Sequence, residues 1–214
     1  MLNATRNEIF IDGPVGRIQV LVDQPPGPLR GAVLVSHPQP LLGGSPRHIV
    51  PLTLARHLSA NGWLVIRPSF RGVDRTDGQH DEGIGETEDS IAVVDYIRQA
   101  FPQLSVALVG FSFGAHVYAR VACKLPGQLQ AVALLGLPVG EVPGGRHYEA
   151  LPLAQDCLLL HGELDEMAPL PNLLQWAKPD HRAVTVLAGA NHFFKGCLNV
   201  AAEQVERHLE YKWR

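Results

Sequence analysis

The chain has 214 residues, of which 46% are hydrophobic and 18% charged, and its formal net charge at pH 7 is −3. This composition is that of a packed globular protein, and the length suits a single domain over residues 1–214. Because the charge is small and the basic residues are scattered, we expect no nucleic acid and no anionic membrane as a partner.

The first residues are polar and lead into two short predicted strands. Residues 1–10 lack the apolar core of a secretory signal peptide, which predicts a cytoplasmic protein. Glu8–Ile11 and Arg17–Val22 are rich in β-branched residues and flank the turn dipeptide Gly13-Pro14. The segment therefore predicts an antiparallel hairpin at the edge of a sheet.

From residue 32 onward, short apolar runs alternate with segments of helical periodicity. The apolar runs are too short to span a membrane, and they predict strands at Ala32–Val35, Trp63–Ile66, Val106–Val109, Ala131–Leu135, Cys157–Leu160 and Ala183–Leu187. The periodic segments predict helices at Ile49–Ala60, Asp89–Ala100, Ala115–Lys124, Leu170–Trp176 and Val200–Tyr211. Such alternation predicts an α/β fold, with a mostly parallel, doubly wound sheet covered on both faces.

The segment Gly110-Phe111-Ser112-Phe113-Gly114 follows a predicted strand and opens a predicted helix. A G-x-S-x-G nucleophile elbow requires this context, and its glycines avoid a collision within the sharp turn. The turn places the serine hydroxyl at the carboxyl end of the sheet, beside the positive end of the helix. We predict Ser112 as a nucleophile, and a tight turn with a helix-capping serine is the alternative.

Two later loops at strand ends supply the partners that a serine nucleophile needs. Asp165 follows the strand at Cys157–Leu160, and His192 follows the strand at Ala183–Leu187. Histidine ordinarily titrates near neutral pH, and a neighbouring carboxylate fixes its tautomer. The order serine, acid, histidine is that of the α/β-hydrolase triad. The sequence therefore predicts Ser112, Asp165 and His192 as nucleophile, orienting acid and general base.

Neighbouring side chains offer alternatives for two of these roles. Glu163 and Glu166 lie in the same loop as Asp165 and compete with it as the acid. Among the ten histidines, His161 is expected to brace its loop, and His116 is expected to be packed or solvated within the helix.

The loop after Ala32–Val35 reads Ser-His-Pro-Gln-Pro-Leu-Leu-Gly-Gly over residues 36–44. Proline has no N–H, so Gln39 is the only backbone donor between the two prolines. With the N–H of Phe113, it is predicted to form an oxyanion hole, in which each donor stabilises the transition state by about 3 kcal/mol. A purely structural Pro-rich turn is the alternative.

Together these motifs resemble those of a compact group of bacterial α/β-hydrolases without a lid. The shared motifs are His-Pro-x-Pro at 37–40 with the glycines at 43–44, Arg-Gly at 71–72, Gly-Phe-Ser-Phe-Gly at 110–114, His-Gly-x-x-Asp-Glu at 161–166 and a histidine followed by aromatics at 192–194. The similarity covers most of the chain. In this group the loop usually reads His-Pro-His-Pro, and Gln39 departs from it while keeping the backbone donor. The resemblance implies serine esterase chemistry but no particular substrate.

The surroundings of the predicted triad suggest an open pocket. Only about twenty residues, Gly136 to Asp156, lie where larger relatives insert a helical lid, so we expect an open and shallow site. Arg71-Gly72 and the turn at Asp77-Gly78 are expected to shape the wall below the serine. The apolar residues expected to line the pocket are Leu41, Leu42, Phe111, Phe113, Leu137, Phe193 and Phe194.

These predictions combine into a serine hydrolase that cleaves a small acyl ester or thioester, of short or medium chain length, through an acyl-enzyme on Ser112. No cofactor is expected, because the nucleophile, the base and the oxyanion donors complete the mechanism. No metal is expected either, since Cys123, Cys157 and Cys197 lack the spacing of metal ligands. A peptidase, a perhydrolase or a carbon–carbon bond hydrolase with the same triad stays open, as does a non-catalytic ligand-binding scaffold.

Overall fold

The computed structural model describes residues 8–154 and 156–214, so residues 1–7 of the polar N-terminal segment lie outside the described part. The strands in chain order are β1 (Glu8–Gly13), β2 (Gly16–Asp23), β3 (Gly31–Val35), β4 (Trp63–Pro68), β5 (Val106–Phe111), β6 (Ala131–Leu135), β7 (Gly140–Val142), β8 (Arg146–Tyr148), β9 (Leu158–Gly162) and β10 (Thr185–Leu187). The α-helices are α1 (Ile49–Ala60), α2 (Ile84–Ala100), α3 (Phe113–Lys124), α4 (Leu170–Ala177) and α5 (Leu198–Lys212).

A mixed sheet with the strand order β1-β2-β4-β3-β5-β6-β9-β10 forms the centre of the fold. β2 pairs antiparallel with both β1 and β4, whereas the remaining neighbours pair in parallel. This arrangement confirms the predicted α/β fold, with a mostly parallel sheet and an antiparallel N-terminal hairpin at one edge.

The central strands are apolar on both faces, and helices therefore cover both. Strands β3 to β6 are buried over their whole length. Leu34 and Leu108 pack with α2 and α3 on one face, while Val33 and Val109 pack with α1 and α5 on the other. Successive side chains of a strand point to opposite faces, which explains how one apolar run serves two cores. None of the helices in the described residues is long and apolar enough to cross a bilayer.

Helix α2 begins at Ile84, earlier than the predicted start at Asp89. Its first turn buries the carboxylate of Glu86, which accepts hydrogen bonds from the N–H groups of Asp81 and Gly83, each at 2.9 Å. A helix face that buries paired polar groups has no apolar periodicity, so the sequence pattern places the start of this helix too late.

The segment between β6 and β9 holds the small hairpin β7–β8 and, among its described residues, no helix. The absence of a lid domain was predicted and is confirmed. Gly140, Gly144 and Gly145 have φ angles of 67°, 89° and 74°, which permit the turns of this segment. The hairpin itself was not predicted, because strands of three residues are too short to show an alternating pattern.

Candidate active site

The carboxyl ends of β3, β5, β9 and β10 point the same way, since these strands are parallel to one another. The loops that follow them bring Ser112, Asp165 and His192 into one hydrogen-bonded chain. His192 Nε2 lies 2.8 Å from Ser112 Oγ, and His192 Nδ1 lies 2.7 Å from Asp165 Oδ2. A neutral imidazole in this arrangement can accept the proton of the serine hydroxyl while its other nitrogen donates to the carboxylate.

Ser112 occupies a strained turn between β5 and α3, with φ 55° and ψ −125°. For a residue other than glycine, such a positive φ is uncommon, and a ψ of −125° places Ser112 outside the left-handed helical region, so its backbone is strained. The N–H of Ser112 donates to the carbonyl of Leu135 at 2.9 Å, and its hydroxyl makes no capping bond to the helix. The hydroxyl faces His192 instead, in contrast to the alternative of a capping serine.

The glycines on either side of the serine allow the close packing of this turn. A Cβ on Gly110 would lie 2.6 Å from Cα of Ala115, and a Cβ on Gly114 would lie 2.2 Å from Oγ of Ser36. Both distances are shorter than any ordinary carbon contact. The two glycines of the motif are therefore required by the backbone path, as the sequence predicts.

The carboxylate of Asp165 has fixed partners at both oxygens. Oδ1 accepts hydrogen bonds from the N–H groups of Met167 and Ala168, at 3.0 and 2.8 Å. Oδ2 faces Nδ1 of His192 and lies 3.3 Å from Nε2 of His161. The side chain is buried, so these contacts, rather than water, determine its orientation.

The competing acids of the same loop lie elsewhere. Glu163 is exposed, and its carboxylate accepts a hydrogen bond from the N–H of Gly189 at 2.8 Å, which connects the loops after β9 and β10. Glu166 is exposed as well. Of the three carboxylates, Asp165 is the one within hydrogen-bond distance of His192.

Two other histidines are buried near the site. His161 Nε2–H donates to the carbonyl of Ala168 at 2.7 Å, and burial lowers the pKa of this histidine. His116 packs its ring edge-on against Tyr148, with centroids 5.1 Å apart, and burial lowers the pKa of His116 to about 4. Both rings support loops around the cleft.

The backbone N–H groups of Gln39 and Phe113 donate to no other backbone group among the described residues. Gln39 lies between two prolines with φ −51° and ψ 116°. Its carbonyl accepts hydrogen bonds from the N–H groups of Leu42 and Gly44, at 3.1 and 3.0 Å, and these bonds fold the loop back on itself. A Cβ on Gly44 would lie 2.1 Å from the carbonyl oxygen of Pro38, so the loop needs glycine there.

His37 fixes the same loop from below. Its Nδ1–H donates to the carbonyl of Pro38 at 2.8 Å, and its Nε2 accepts a hydrogen bond from the N–H of Phe70 at 3.0 Å. The amide can only donate, so Nε2 is the unprotonated nitrogen. Complete burial lowers the pKa of His37 to about 3, which keeps the ring neutral.

A cleft of about 540 Å³, part of it open to solvent, lies over Ser112 and His192. Leu42 and Phe193, two of the predicted pocket residues, line it. Further lining residues were not predicted from the sequence: His48, Pro138, Val142, Arg146, Tyr148 and Met167. Three of these come from the unpredicted hairpin β7–β8, so the site is a walled cleft rather than the open, shallow surface that was expected.

The other predicted pocket residues do not line this cleft. Leu41 is 72% exposed on the outer side of a single 3-10 turn. Phe111 ends β5 with its side chain in the core under α1 and α5, where Phe194 is also buried. Phe113 and Leu137 belong to the core on the opposite face. For these four buried residues, the direction of the side chain decides whether it lines the cleft, and proximity in sequence does not reveal that direction.

Arg71 also lies outside the lining of the cleft and makes a buried, bidentate ion pair with Asp89, at 2.8 and 2.9 Å. Hydrogen bonding to this carboxylate raises the pKa of Arg71. Asp77 accepts a hydrogen bond from the N–H of Arg17 at 2.8 Å, which holds its turn against β2. Both contacts stabilise the loop after β4.

The three cysteines are free thiols that are partly buried. In the ranges that the structure describes, no group of three or more His, Cys, Asp or Glu side chains is arranged to hold a metal ion.

Comparison with known proteins agrees with this fold. The α/β-hydrolase fold family matches residues 41–147, which is half of the chain. A lidless α/β serine hydrolase from Xanthomonas campestris is 28% identical, with a TM-score of 0.87 over 99% of this chain and 96% of that one. An α/β serine hydrolase homologue from Coxiella burnetii is 29% identical, with a TM-score of 0.82 over 98% and 100% of the two chains.

A curated relative, an uncharacterized protein from Rickettsia prowazekii, is 29% identical over 199 residues, which cover 88% of this chain and 82% of that protein. The fold and the relatives define a lidless hydrolase scaffold. The chain belongs to the α/β-hydrolase family, and its relatives support hydrolase activity.

Proposed function

We propose that the protein is a serine hydrolase that cleaves short or medium acyl esters or thioesters through an acyl-enzyme on Ser112. One observation carries the proposal: an unbroken hydrogen-bonded chain runs from Asp165 Oδ2 through His192 to Ser112 Oγ, with distances of 2.7 and 2.8 Å. The relative from Xanthomonas campestris, a serine hydrolase without a lid, supports the same chemistry.

In the first step, Ser112 Oγ attacks the carbonyl carbon of the substrate while His192 Nε2 accepts its proton. Asp165 stabilises the resulting imidazolium through the hydrogen bond at Nδ1, which keeps the ring in the productive orientation. The serine therefore needs no lowered pKa of its own, because proton removal accompanies bond formation.

The tetrahedral oxyanion formed by this attack needs preset donors. The N–H groups of Gln39 and Phe113 are proposed to bind it, and the positive end of α3 adds to their effect. Both amides lie in rigid backbone, between two prolines in one case and at the start of a helix in the other. Little reorganisation is then needed when the negative charge develops.

The intermediate collapses when His192 returns the proton to the leaving alcohol or thiol and the bond from carbonyl carbon to leaving group breaks. Ser112 then carries the acyl group as an ester. A water molecule, deprotonated by His192, attacks this ester and releases the carboxylic acid, and the proton returns to Ser112 Oγ. Ser112 and His192 thus act in both halves of the reaction, and His192 accepts a proton and then gives it up in each half.

The size and lining of the cleft favour small acyl groups. The volume of about 540 Å³ includes space open to solvent, so the enclosed part of the cleft is smaller than that and suits a short chain. Leu42, Val142, Met167 and Phe193 give it apolar walls that suit a hydrocarbon chain.

The proposal is tested with Ser112→Ala and, as the matched control, Ser59→Ala in helix α1. Short p-nitrophenyl esters and acyl thioesters serve as substrates, and a fluorophosphonate probe reports the reactive serine. We expect turnover and labelling in the wild-type and Ser59→Ala proteins and neither in Ser112→Ala. Undiminished turnover in Ser112→Ala, or a wild-type protein that the probe does not label, would overturn the proposal.

A further inference from the structure

We propose that Arg146 selects substrates with a carboxylate group, so that the preferred substrate is an ester or thioester whose acyl or alcohol part carries one negative charge. This inference rests on the function proposed above and narrows its substrate class. It follows from the position of Arg146, from its lack of an acidic partner and from the charges that line the cleft.

Arg146 begins β8 and lines the same cleft as Ser112 and His192. The residue is partly buried, and two contacts hold its guanidinium: Nη1 donates to the hydroxyl of Tyr148 at 3.4 Å, and Nη2 donates to the carbonyl of Pro143 at 3.2 Å. A guanidinium has five N–H donors, so three are left for a ligand.

Within residues 8–154 and 156–214, no carboxylate pairs with the charge of Arg146. Other arginines that are partly or fully buried pair with carboxylates, as Arg67 does with Asp23 at 2.7 Å. Among the arginines that the structure describes, Arg146 is the one that is neither exposed nor within 4.0 Å of a carboxylate. A charge removed in part from water and left unpaired is costly, and a bound carboxylate repays that cost.

The acidic side chains nearest along the chain are engaged elsewhere. Glu141 contacts His147 at 2.9 Å, and Glu149 contacts Arg120 at 3.3 Å. No Asp or Glu is among the described residues that line the cleft. The carboxylate of Asp165 lies behind His192 and is hydrogen-bonded to it, so among the described lining residues the charge offered to an entering anion is positive.

The cleft suits a ligand that carries a single negative charge. His48 also lines it, but burial and the neighbouring His192 lower the pKa of His48, so this ring stays neutral at physiological pH. Arg146 is then the one permanent cation among the described lining residues. A planar guanidinium binds a carboxylate through two parallel hydrogen bonds, whereas a phosphate dianion would need a second cation for balance.

The experiment compares pairs of esters that differ in the carboxylate. In one pair the charge is on the acyl side, p-nitrophenyl hydrogen adipate against p-nitrophenyl hexanoate. In the other it is on the alcohol side, 4-acetoxybenzoate against phenyl acetate. We measure kcat/KM at about pH 8 for the wild type, for Arg146→Met, which keeps the apolar stem without the charge, and for Arg56→Met, which removes an exposed arginine outside the cleft.

We expect the wild type to prefer the charged ester in at least one pair. In Arg146→Met, kcat/KM for that ester should fall by about 10- to 100-fold, the range for a lost hydrogen bond to a charged group. The neutral ester should change by less than about threefold, and Arg56→Met should leave both unchanged. Arg146→Lys keeps the charge but loses the planar fork, so its loss should be smaller and again confined to the charged ester.

Two results would overturn the role of Arg146 while leaving the proposed function intact: equal turnover of charged and neutral esters by the wild type, or equal losses on both esters in Arg146→Met. A binding measurement removes the dependence on turnover. Calorimetry of p-nitrophenyl hydrogen adipate with the Ser112→Ala protein should show binding that weakens at least about tenfold when Arg146→Met is added. Unchanged binding would refute the inference even if no ester were hydrolysed.

Discussion

The imidazole of His37 joins the loops that follow β3 and β4, because its Nε2 accepts a hydrogen bond from the N–H of Phe70 at 3.0 Å. At the other nitrogen the ring donates to the carbonyl of Pro38, which directly precedes Gln39. A buried side chain outside the lining of the cleft therefore fixes the amide that we propose as an oxyanion donor. This makes His37 a positioning residue for the proposed reaction.

The substitution His37→Leu should therefore reduce both stability and catalysis. The Phe70 amide and the Pro38 carbonyl lose a buried partner, which should lower the free energy of unfolding by about 1–3 kcal/mol. As the loop shifts, kcat should fall by about 10- to 100-fold while KM changes much less, because an oxyanion donor acts on the transition state. Urea unfolding and steady-state kinetics measure the two effects. A destabilised protein with unchanged kcat would limit His37 to a structural role.

The substitution Asp165→Asn should reduce kcat by about 10³- to 10⁴-fold. The N–H groups of Met167 and Ala168 bind Oδ1, so the amide nitrogen of asparagine takes the place of Oδ2. It then donates to Nδ1 of His192, which forces the imidazole proton onto Nε2. In that tautomer, Nε2 cannot accept the proton of Ser112.

The control for this prediction is Glu166→Gln, which changes an exposed carboxylate of the same loop in the same way. Its kcat should stay within about threefold of the wild-type value, since the hydrogen-bonded chain is untouched. Similar losses in the two variants would argue against the assignment of Asp165.

Much of the fold could be predicted because the strands are apolar on both faces. A run such as Val106–Val109 can be buried only within a sheet that helices cover on both sides, and that burial is observed. The candidate site could be predicted for a related reason. Loops that follow parallel strands all lie at the carboxyl ends of those strands. Ser112, Asp165 and His192 could therefore be placed together before any distance was known.

Features without such a pattern could not be predicted. The start of α2 is set by the buried carboxylate of Glu86, which resembles a surface residue in the sequence. Arg146 is one cation in a segment rich in glycine and proline, and only the hairpin brings it to the cleft. Phe111 shows the opposite case: its position beside the candidate nucleophile suggests the pocket, yet its ring is fully buried and packs against that of His192, with centroids 5.1 Å apart.

The substitution Gly114→Ala should weaken both the fold and the site. The new Cβ would lie 2.2 Å from Oγ of Ser36 and 2.6 Å from the carbonyl oxygen of His37, so α3 and the loop after β3 must separate. Overpacking of this kind should lower the free energy of unfolding by about 1–3 kcal/mol. Because Phe113 and Gln39 lie on the two separated segments, kcat should fall by at least about tenfold.

The control is Gly27→Ala, where an added Cβ meets nothing within 4 Å. This variant should match the wild type in kcat and unfold within about 0.5 kcal/mol of it. Denaturant unfolding and ester kinetics on both variants check the prediction, and normal activity in Gly114→Ala would show that the two loops tolerate separation.

The stability of the protein should depend on pH through His116. Burial and the nearby positive charge of Arg120 lower the pKa of His116 to about 4, from an ordinary value of 6.5. At a pH between these two pKa values, His116 is protonated in the unfolded chain and neutral in the folded protein. The contribution is therefore fully present above pH 6.5 and is lost as the pH falls toward 4, at up to about 1.4 kcal/mol per pH unit.

The substitution His116→Phe removes this titration and keeps an aromatic ring against Tyr148, whose ring lies 5.1 Å from that of His116. At about pH 8 the two proteins should unfold with similar free energies. Between pH 6 and 4.5 the wild type should lose stability more steeply, by about 1 kcal/mol per pH unit, than the variant. Urea unfolding across this range measures both slopes. Equal slopes would mean that the folded protein protonates His116 as readily as the unfolded chain does, against the burial that the structure gives this ring.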